Sequence, residues 1–140
     1  MKLDENNNVV KLCAKGMEFE GQGLKKDALQ FFQQAWNEAT NDFEKFISAH
    51  YVARHQETIE EKLNWDETAL HLALKTDDDN VKAAFPSLYL NIGECFEDLN
   101  DFTSARKNYE LALSHVDRLP DNGYGNLIKA GIMNGLERVQ

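Results

Sequence analysis

The sequence predicts an all-α protein, a stack of antiparallel helix pairs, and three observations support this class. Apolar residues recur at helical spacing along most of the 140 residues. Two stretches with this spacing share one internal register, and short polar turns separate the helices. The pattern predicts about seven helices, including a terminal helix that covers the end of the stack.

The clearest helix pair is predicted at residues 89–113. Ile92, Phe96 and Leu99 recur at helical intervals, so one helix presents an apolar face over about three turns. Asp101 is expected to cap a second helix. Because the turn between them is short, the two helices are expected to be antiparallel neighbours. The apolar stripe of the second helix consists of Phe102, Ala105, Tyr109, Ala112 and Leu113.

The same spacing occurs near the amino terminus. Gly16 and Gly93 lie 77 residues apart, and so do Ala28 and Ala105. Both helix pairs follow the order glycine, aromatic, alanine, aromatic, alanine, with small residues where the helices touch. The remaining positions of this order are Phe19, Phe32 and Ala35 in the first copy and Phe96, Tyr109 and Ala112 in the second. This pattern resembles the tetratricopeptide repeat (TPR).

The resemblance is to the small stand-alone TPR proteins of bacteria, and it implies a right-handed stack with a concave groove that binds protein segments. It predicts a single domain over residues 1–140. The repeats are expected at roughly 9–40, 41–78 and 86–120, and the terminal helix at roughly 124–139.

The middle repeat is expected to be irregular, because the distance between the outer repeats exceeds two regular periods by about nine residues. Its first helix is predicted from about Asn41 to Ile59 and its second from about Trp65 to Lys75. Ala53 is expected to be the small contact of the first helix. Thr68 or Ala69 is expected to be the packing position of the second.

Both ends of the chain are expected to complete the stack. The polar residues 1–8 are predicted either to remain loose or to cap the first helix. After the turn at residues 121–125, helical spacing resumes. The apolar residues that show it are Leu127, Ile128, Gly131, Ile132, Leu136 and Val139.

The composition is that of an acidic globular protein, with 42% hydrophobic and 28% charged residues and a net charge of −9. The negative charge opposes nucleic acid as a partner, because phosphate binding requires a basic surface. No apolar run reaches the roughly 18 residues of a membrane span, and no membrane association is expected. The amino terminus has no apolar signal region, and the predicted location is cytoplasmic.

The sequence contains no enzyme signature such as a phosphate loop or a nucleophile elbow, so no catalytic residue and no cofactor are predicted. Cys13 and Cys95 lie in helical stripes and are expected to be reduced core residues. His50 and His55 are five residues apart, which separates them around a helix and disfavours a metal site. The acidic residues 77–79 predict a solvated turn with Asn80 as the cap, and not a calcium loop.

The polar cluster of greatest functional interest lies at residues 49–56. His50, Arg54 and Glu57 are spaced i, i+4 and i+7, which places them on one face of a continuous helix. In the resembling family, this face lines the concave groove. The corresponding faces of the neighbouring first helices carry Cys13, Met17 and Glu20 before it and Ser87, Leu90, Asn91 and Glu94 after it. Tyr124 is expected either to cover the last repeat or to close one end of the groove.

An internal role for this cluster is the competing interpretation. In that interpretation Arg54 pairs with Glu57 or Glu94, and His50 donates to a carbonyl or a carboxylate. The cluster would then be a satisfied polar layer between repeats. Arg54, His50 and Glu94 also have the groups of an acid–base set, but no motif favours catalysis.

Two functional hypotheses remain. In the first, the protein is a scaffold that binds a peptide or helix of a protein partner in the groove at His50, Arg54 and Glu94. In the second, it is a self-associating module that forms a homodimer through the terminal helix or through an aromatic edge. That edge comprises Phe31, Phe43 and Phe46. The core is predicted to contain the repeat aromatics Phe19, Phe32, Trp36, Trp65, Phe96, Phe102 and Tyr109.

Overall fold

The computed structural model describes residues 4–140, so the first three residues of the predicted lead-in lie outside the described chain. The chain divides into two compact units, the first ending at Thr76 and the second beginning at Asp77. Residues 4–140 form helices and turns and contain no strand. The predicted all-α class is therefore confirmed.

The first unit contains four helices that pack as consecutive neighbours. They are α1 (Asn8–Gly21), α2 (Lys25–Glu38), α3 (Asp42–Val52) and α4 (Ile59–Leu74), and a 3₁₀ turn, Ala53–His55, follows α3. Three of these helices begin at a capping side chain that accepts a hydrogen bond from the backbone N–H three residues later. The caps are Asn7 for α1, Asn41 for α3 and Thr58 for α4.

The second unit contains three long helices after one short helix. They are α5 (Asp79–Lys82), α6 (Phe85–Asp98), α7 (Phe102–Ser114) and α8 (Gly123–Arg138), with a 3₁₀ turn at Val116–Arg118. Asp101 caps α7 as predicted, because its carboxylate accepts the Ser104 N–H at 3.1 Å. The terminal helix α8 packs on both α6 and α7, so the prediction of a covering helix is confirmed.

The repeated glycines make room for aromatic rings of the paired helix. A Cβ atom on Gly93 would lie 2.7 Å from the ring of Tyr109, and one on Gly16 would overlap the ring of Phe32. Both rings are fully buried. The repeated alanines are fully buried as well, at Ala28, Ala35, Ala105 and Ala112.

The turns within the two outer pairs also keep the 77-residue register. Gly23 between α1 and α2 has a φ of 77°, and Asn100 between α6 and α7 has a φ of 64°. Glycine adopts this left-handed conformation without steric cost, and asparagine is among the few other residues that tolerate it. The two residues differ in type but serve the same turn geometry.

The predicted bounds of the middle helix pair are wrong. The first helix ends at Val52, before the predicted Ile59, and the second begins at Ile59, before the predicted Trp65. The reason is local: Gln56 is extended, and Thr58 caps α4 by accepting the Glu61 N–H at 3.1 Å. Threonine followed three residues later by glutamate is the sequence signature of a helix start.

The predicted packing residues of this pair are partly confirmed. Ala53 and Ala69 are buried, so Ala69 and not Thr68 holds the packing position. Trp65 lies inside α4, with its ring edge-on to that of Trp36 at 5.0 Å between centroids. Trp65 therefore packs α4 against α2, the helix that carries Trp36.

Three further predictions require correction. Phe102 is 51% exposed and does not belong to the core, because it is the first residue of α7. Phe46 is fully buried, so it cannot belong to an exposed aromatic edge. Asp78 and not Asn80 caps the short helix α5, since its carboxylate accepts the Asn80 N–H at 2.7 Å.

Replacing Gly93 with alanine is expected to lower the free energy of unfolding by about 1–3 kcal/mol, because the added methyl group forces the Tyr109 ring to move. Gly123→Ala is the matched control, since a Cβ atom on Gly123 meets nothing within 4 Å. Urea denaturation followed by circular dichroism measures both changes. Equal stability of the two variants would contradict the role assigned to Gly93.

Candidate binding surface

A polar cluster at the carboxyl end of α1 joins this helix to the 3₁₀ turn that follows α3. Glu20, in the last turn of α1, accepts from Arg54 Nη1 at Oε1 over 3.1 Å. Its other oxygen, Oε2, lies 2.6 Å from His55 Nε2. The 3₁₀ turn after α3 makes this possible, because it brings two consecutive side chains to one carboxylate. We call Glu20, Arg54 and His55 the Glu20 cluster.

Aromatic rings support the Glu20 cluster from the protein interior. The guanidinium carbon of Arg54 lies 4.7 Å from the ring centre of Tyr51, a cation–π distance. His55 stacks on Phe32 at 6.0 Å, and Phe32 stacks on Tyr51 at 5.1 Å. The side chain of Arg54 is nevertheless 43% exposed, against 19% for Glu20 and 14% for His55. Arg54 is therefore held in place with part of its surface facing solvent.

His50 is separate from the Glu20 cluster. Its ring lies 6.2 Å from the ring of Phe46 and 5.5 Å from that of Tyr51, and its Nδ1 is buried without a hydrogen-bond partner. Burial, together with the charges of Arg54 and Lys62, lowers the pKa of His50 from 6.5 to about 4. The imidazole is thus neutral at pH 7.

The helix face predicted for His50, Arg54 and Glu57 is not formed. His50 lies on α3, Arg54 lies on the 3₁₀ turn, and Glu57 is exposed in the segment before α4. A spacing of i, i+4 and i+7 defines one face only while the chain remains α-helical, and here the helix ends first. Within the first unit, the acidic partner of Arg54 is Glu20 and not the expected Glu57.

The candidates of the second unit do lie on continuous helices. Ser87, Asn91 and Glu94 share one face of α6, because they are spaced i, i+4 and i+7 on one continuous α-helix. Ser87 is buried, and its hydroxyl donates to the Ala84 carbonyl at 3.1 Å. Asn91 is partly exposed and Glu94 is exposed. Tyr124, in the first turn of α8, is 52% exposed.

The second unit contains its own counterpart of the Glu20 cluster. Glu97, 77 residues after Glu20, accepts from Arg138 Nε at 2.8 Å and from the Tyr109 hydroxyl at 2.7 Å. These bonds, that from Arg138 foremost, hold the pKa of Glu97 below its usual range. In both units, therefore, a glutamate near the end of the first helix of a pair binds an arginine from an element that follows the pair. The sequence signal for it is the equivalent position of the two glutamates.

The cysteines behave as predicted. Cys13 and Cys95 are buried and form no disulfide bond with a described residue, and burial raises the pKa of the Cys13 thiol to about 12. Such a thiol is not a nucleophile at neutral pH. Among the described residues, no group of three or more histidine, cysteine and acidic side chains is arranged to hold a metal ion. Within residues 4–140, no helix is both long and apolar enough to cross a membrane.

The antiparallel helix pairs and their repeated glycine, aromatic and alanine positions define a TPR-like helical-repeat protein. Among solved structures, the chain is similar to PcrH from Pseudomonas aeruginosa, with a TM-score of 0.68. The similarity covers 99% of this chain and 95% of PcrH at 17% sequence identity, so it shows the fold. No protein-family model and no curated protein sequence matches the chain.

Proposed function

We propose that this protein is a protein–protein interaction scaffold that binds a peptide or helix of a partner on the surface carrying Arg54. The main support for the proposal is that the Arg54 side chain is held in place but remains partly exposed. A guanidinium has five N–H donors, and Arg54 uses one of them on Glu20. The others are free of partners among the described residues, while Glu20 and Tyr51 fix the group in position. Such preorganisation reduces the entropic cost of binding.

The chemistry of the neighbouring groups favours binding over catalysis. Both carboxylate oxygens of Glu20 are engaged, by Arg54 and His55. His50 presents no free Nδ1 to a substrate, because that atom is buried. Helical-repeat folds commonly bind extended or helical segments of other proteins, which supports a protein partner for this fold.

Further contact residues are proposed in each unit. In the first unit, His50 and Glu57 flank Arg54 in sequence, and Met17 on α1 is 43% exposed. In the second unit the proposed contacts are Ser87, Asn91, Glu94 and Tyr124. The single TPR-like domain and the cytoplasmic location also stay predictions.

The proposal predicts that Arg54→Ala weakens partner binding at least about tenfold, because a fixed guanidinium is typical of an interface hot spot. Partners are captured from a lysate of the source organism with the wild type, and the affinity of the purified partner is then measured by calorimetry. Lys129→Ala is the control, since it removes the same charge from an exposed position of α8. Circular dichroism checks that all variants are equally helical. Equal affinity of Arg54→Ala and the wild type would overturn the proposal.

Self-association is the second candidate, and the exposed apolar residues of α8 favour it. Leu127 is 71% exposed and Tyr124 is 52% exposed, and the two are three residues apart, so they form a small apolar surface on one side of the helix. Sedimentation of the wild type and Arg54→Ala over a range of concentrations tests this candidate. A mass that rises with concentration in both proteins would support it, and a constant monomer mass would exclude it.

A further inference from the structure

An open depression of about 310 Å³ lies beside Arg54 in the first unit. One wall is the first turn of α2, which contributes Lys25, Lys26 and Leu29. The other is the segment from Arg54 to Glu57. The volume corresponds to that of roughly ten water molecules, enough for one or two side chains of a partner.

Unpaired positive charge distinguishes this depression. Lys25 and Lys26 are exposed, and neither forms a hydrogen bond or ion pair with a described residue. Arg54 adds a guanidinium with free N–H groups, while Glu57 is the one acidic residue of the lining. This concentration of cations occurs in a chain whose net charge is −9.

The position of the two lysines is unfavourable for the helix itself. They are the first two residues of α2, where the partial positive charge of the helix end repels a cation. The residue before them, Leu24, supplies no side-chain cap. Helix stability therefore does not account for lysine at these positions.

An equivalent depression in the second unit provides an internal comparison. It measures about 250 Å³ and is lined by the corresponding first turn of α7, with Phe102, Thr103 and Arg106 in place of the two lysines and Leu29. Its cations are already bound within the unit. Arg106 donates to the Val139 carbonyl at 2.6 and 2.9 Å, and Arg138 donates to Glu97. The two unpaired lysines thus belong to the depression of the first unit and are not a feature of the repeat.

We infer that the Lys25–Lys26 depression binds acidic side chains of the partner segment. This inference rests on the proposed function and specifies the chemistry of the partner. The two ammonium groups pair with carboxylates, and Leu29 contacts an apolar residue beside them. A short acidic–apolar segment fits better than a polyanion, since the net charge of −9 repels a long run of negative charge.

The test is a selection of random twelve-residue peptides on three purified proteins. They are the wild type, Lys25→Glu/Lys26→Glu, and the control Lys107→Glu/Lys129→Glu, which changes the net charge equally at exposed positions of the second unit. The charge reversal at α2 is not expected to prevent folding, because acidic residues suit a helix start. The enriched peptides are sequenced, and the dissociation constant of the most enriched one is measured by fluorescence anisotropy.

We expect peptides enriched in aspartate and glutamate on the wild type and the control, with at least about tenfold weaker binding to Lys25→Glu/Lys26→Glu. Equal weakening in both variants would overturn the inference, since binding would then follow net charge alone. Enriched peptides without acidic bias would overturn it and leave the proposed function standing. Absence of any enriched peptide would count against both.

Discussion

Tyr109→Ala is expected to destabilise the second unit by about 3–5 kcal/mol, the range found when large buried aromatic side chains are removed. Tyr109 is fully buried, and its ring fills the space left by two glycines. Cβ atoms on Gly93 of α6 and Gly135 of α8 would lie 2.7 and 2.6 Å from this ring. Alanine would leave a cavity at the point where three helices meet, and the two facing glycines have no side chains with which to fill it.

Tyr124→Ala is the matched control, because Tyr124 belongs to the same unit and is 52% exposed. Its expected effect is within about 0.5 kcal/mol. Tyr109→Phe keeps the ring and removes only the hydroxyl group, which donates to Glu97 at 2.7 Å. This variant should lower the free energy of unfolding by about 1.5 kcal/mol. Urea denaturation gives the free energies. The assignment would be wrong if both tyrosine-to-alanine variants lost the same stability.

Acidification from pH 6.5 to pH 4 is expected to destabilise the first unit by up to about 3 kcal/mol through His50. Its pKa is 6.5 in the unfolded chain and about 4 in the folded protein. In this interval the unfolded state takes up a proton that the folded state does not bind, so stability is lost as the pH falls. The protonated ring is disfavoured by burial and by the charges of Arg54 and Lys62.

His50→Leu removes this proton uptake and should flatten the decrease in stability between pH 6.5 and pH 4. Some decrease should remain for the whole protein, because the pKa of His115 in the second unit is also lowered by burial and by Arg118. His71→Gln serves as the control, since His71 is exposed on α4. Denaturation curves at half-unit pH intervals provide the measurement. An identical pH profile for His50→Leu and the wild type would refute the buried state assigned to His50.

The outer helix pairs were predictable because their information is local. Helical spacing and the cap at Asp101 depend on residues within a few turns of one another. The two outer pairs also support each other, because their equivalent positions lie 77 residues apart. The packing glycines and their rings follow from the same register. The middle pair is less predictable, because its repeat pattern is incomplete and its second helix begins at the Thr58 cap, outside the repeat spacing.

The candidate site was predictable only in part. The sequence singles out Arg54, but in the first unit its partner is Glu20 and not the expected Glu57, and Glu20 lies 34 residues earlier in the chain. The structural counterpart, Glu97 with Arg138, spans 41 residues. Ion pairs at such separations depend on where a helix ends, and the end of α3 at Val52 decided which face Arg54 occupies.

The sequence by itself determined the helical class, the two outer pairs and the glycine and aromatic positions at which they pack, because periodicity and residue size act over short distances. Only the tertiary structure decided that Phe102 is exposed, that the His50 nitrogen is buried without a partner and that Lys25 and Lys26 face Arg54 across a depression. These properties depend on which helix ends and turns meet in space, and residue spacing along one helix does not contain that information.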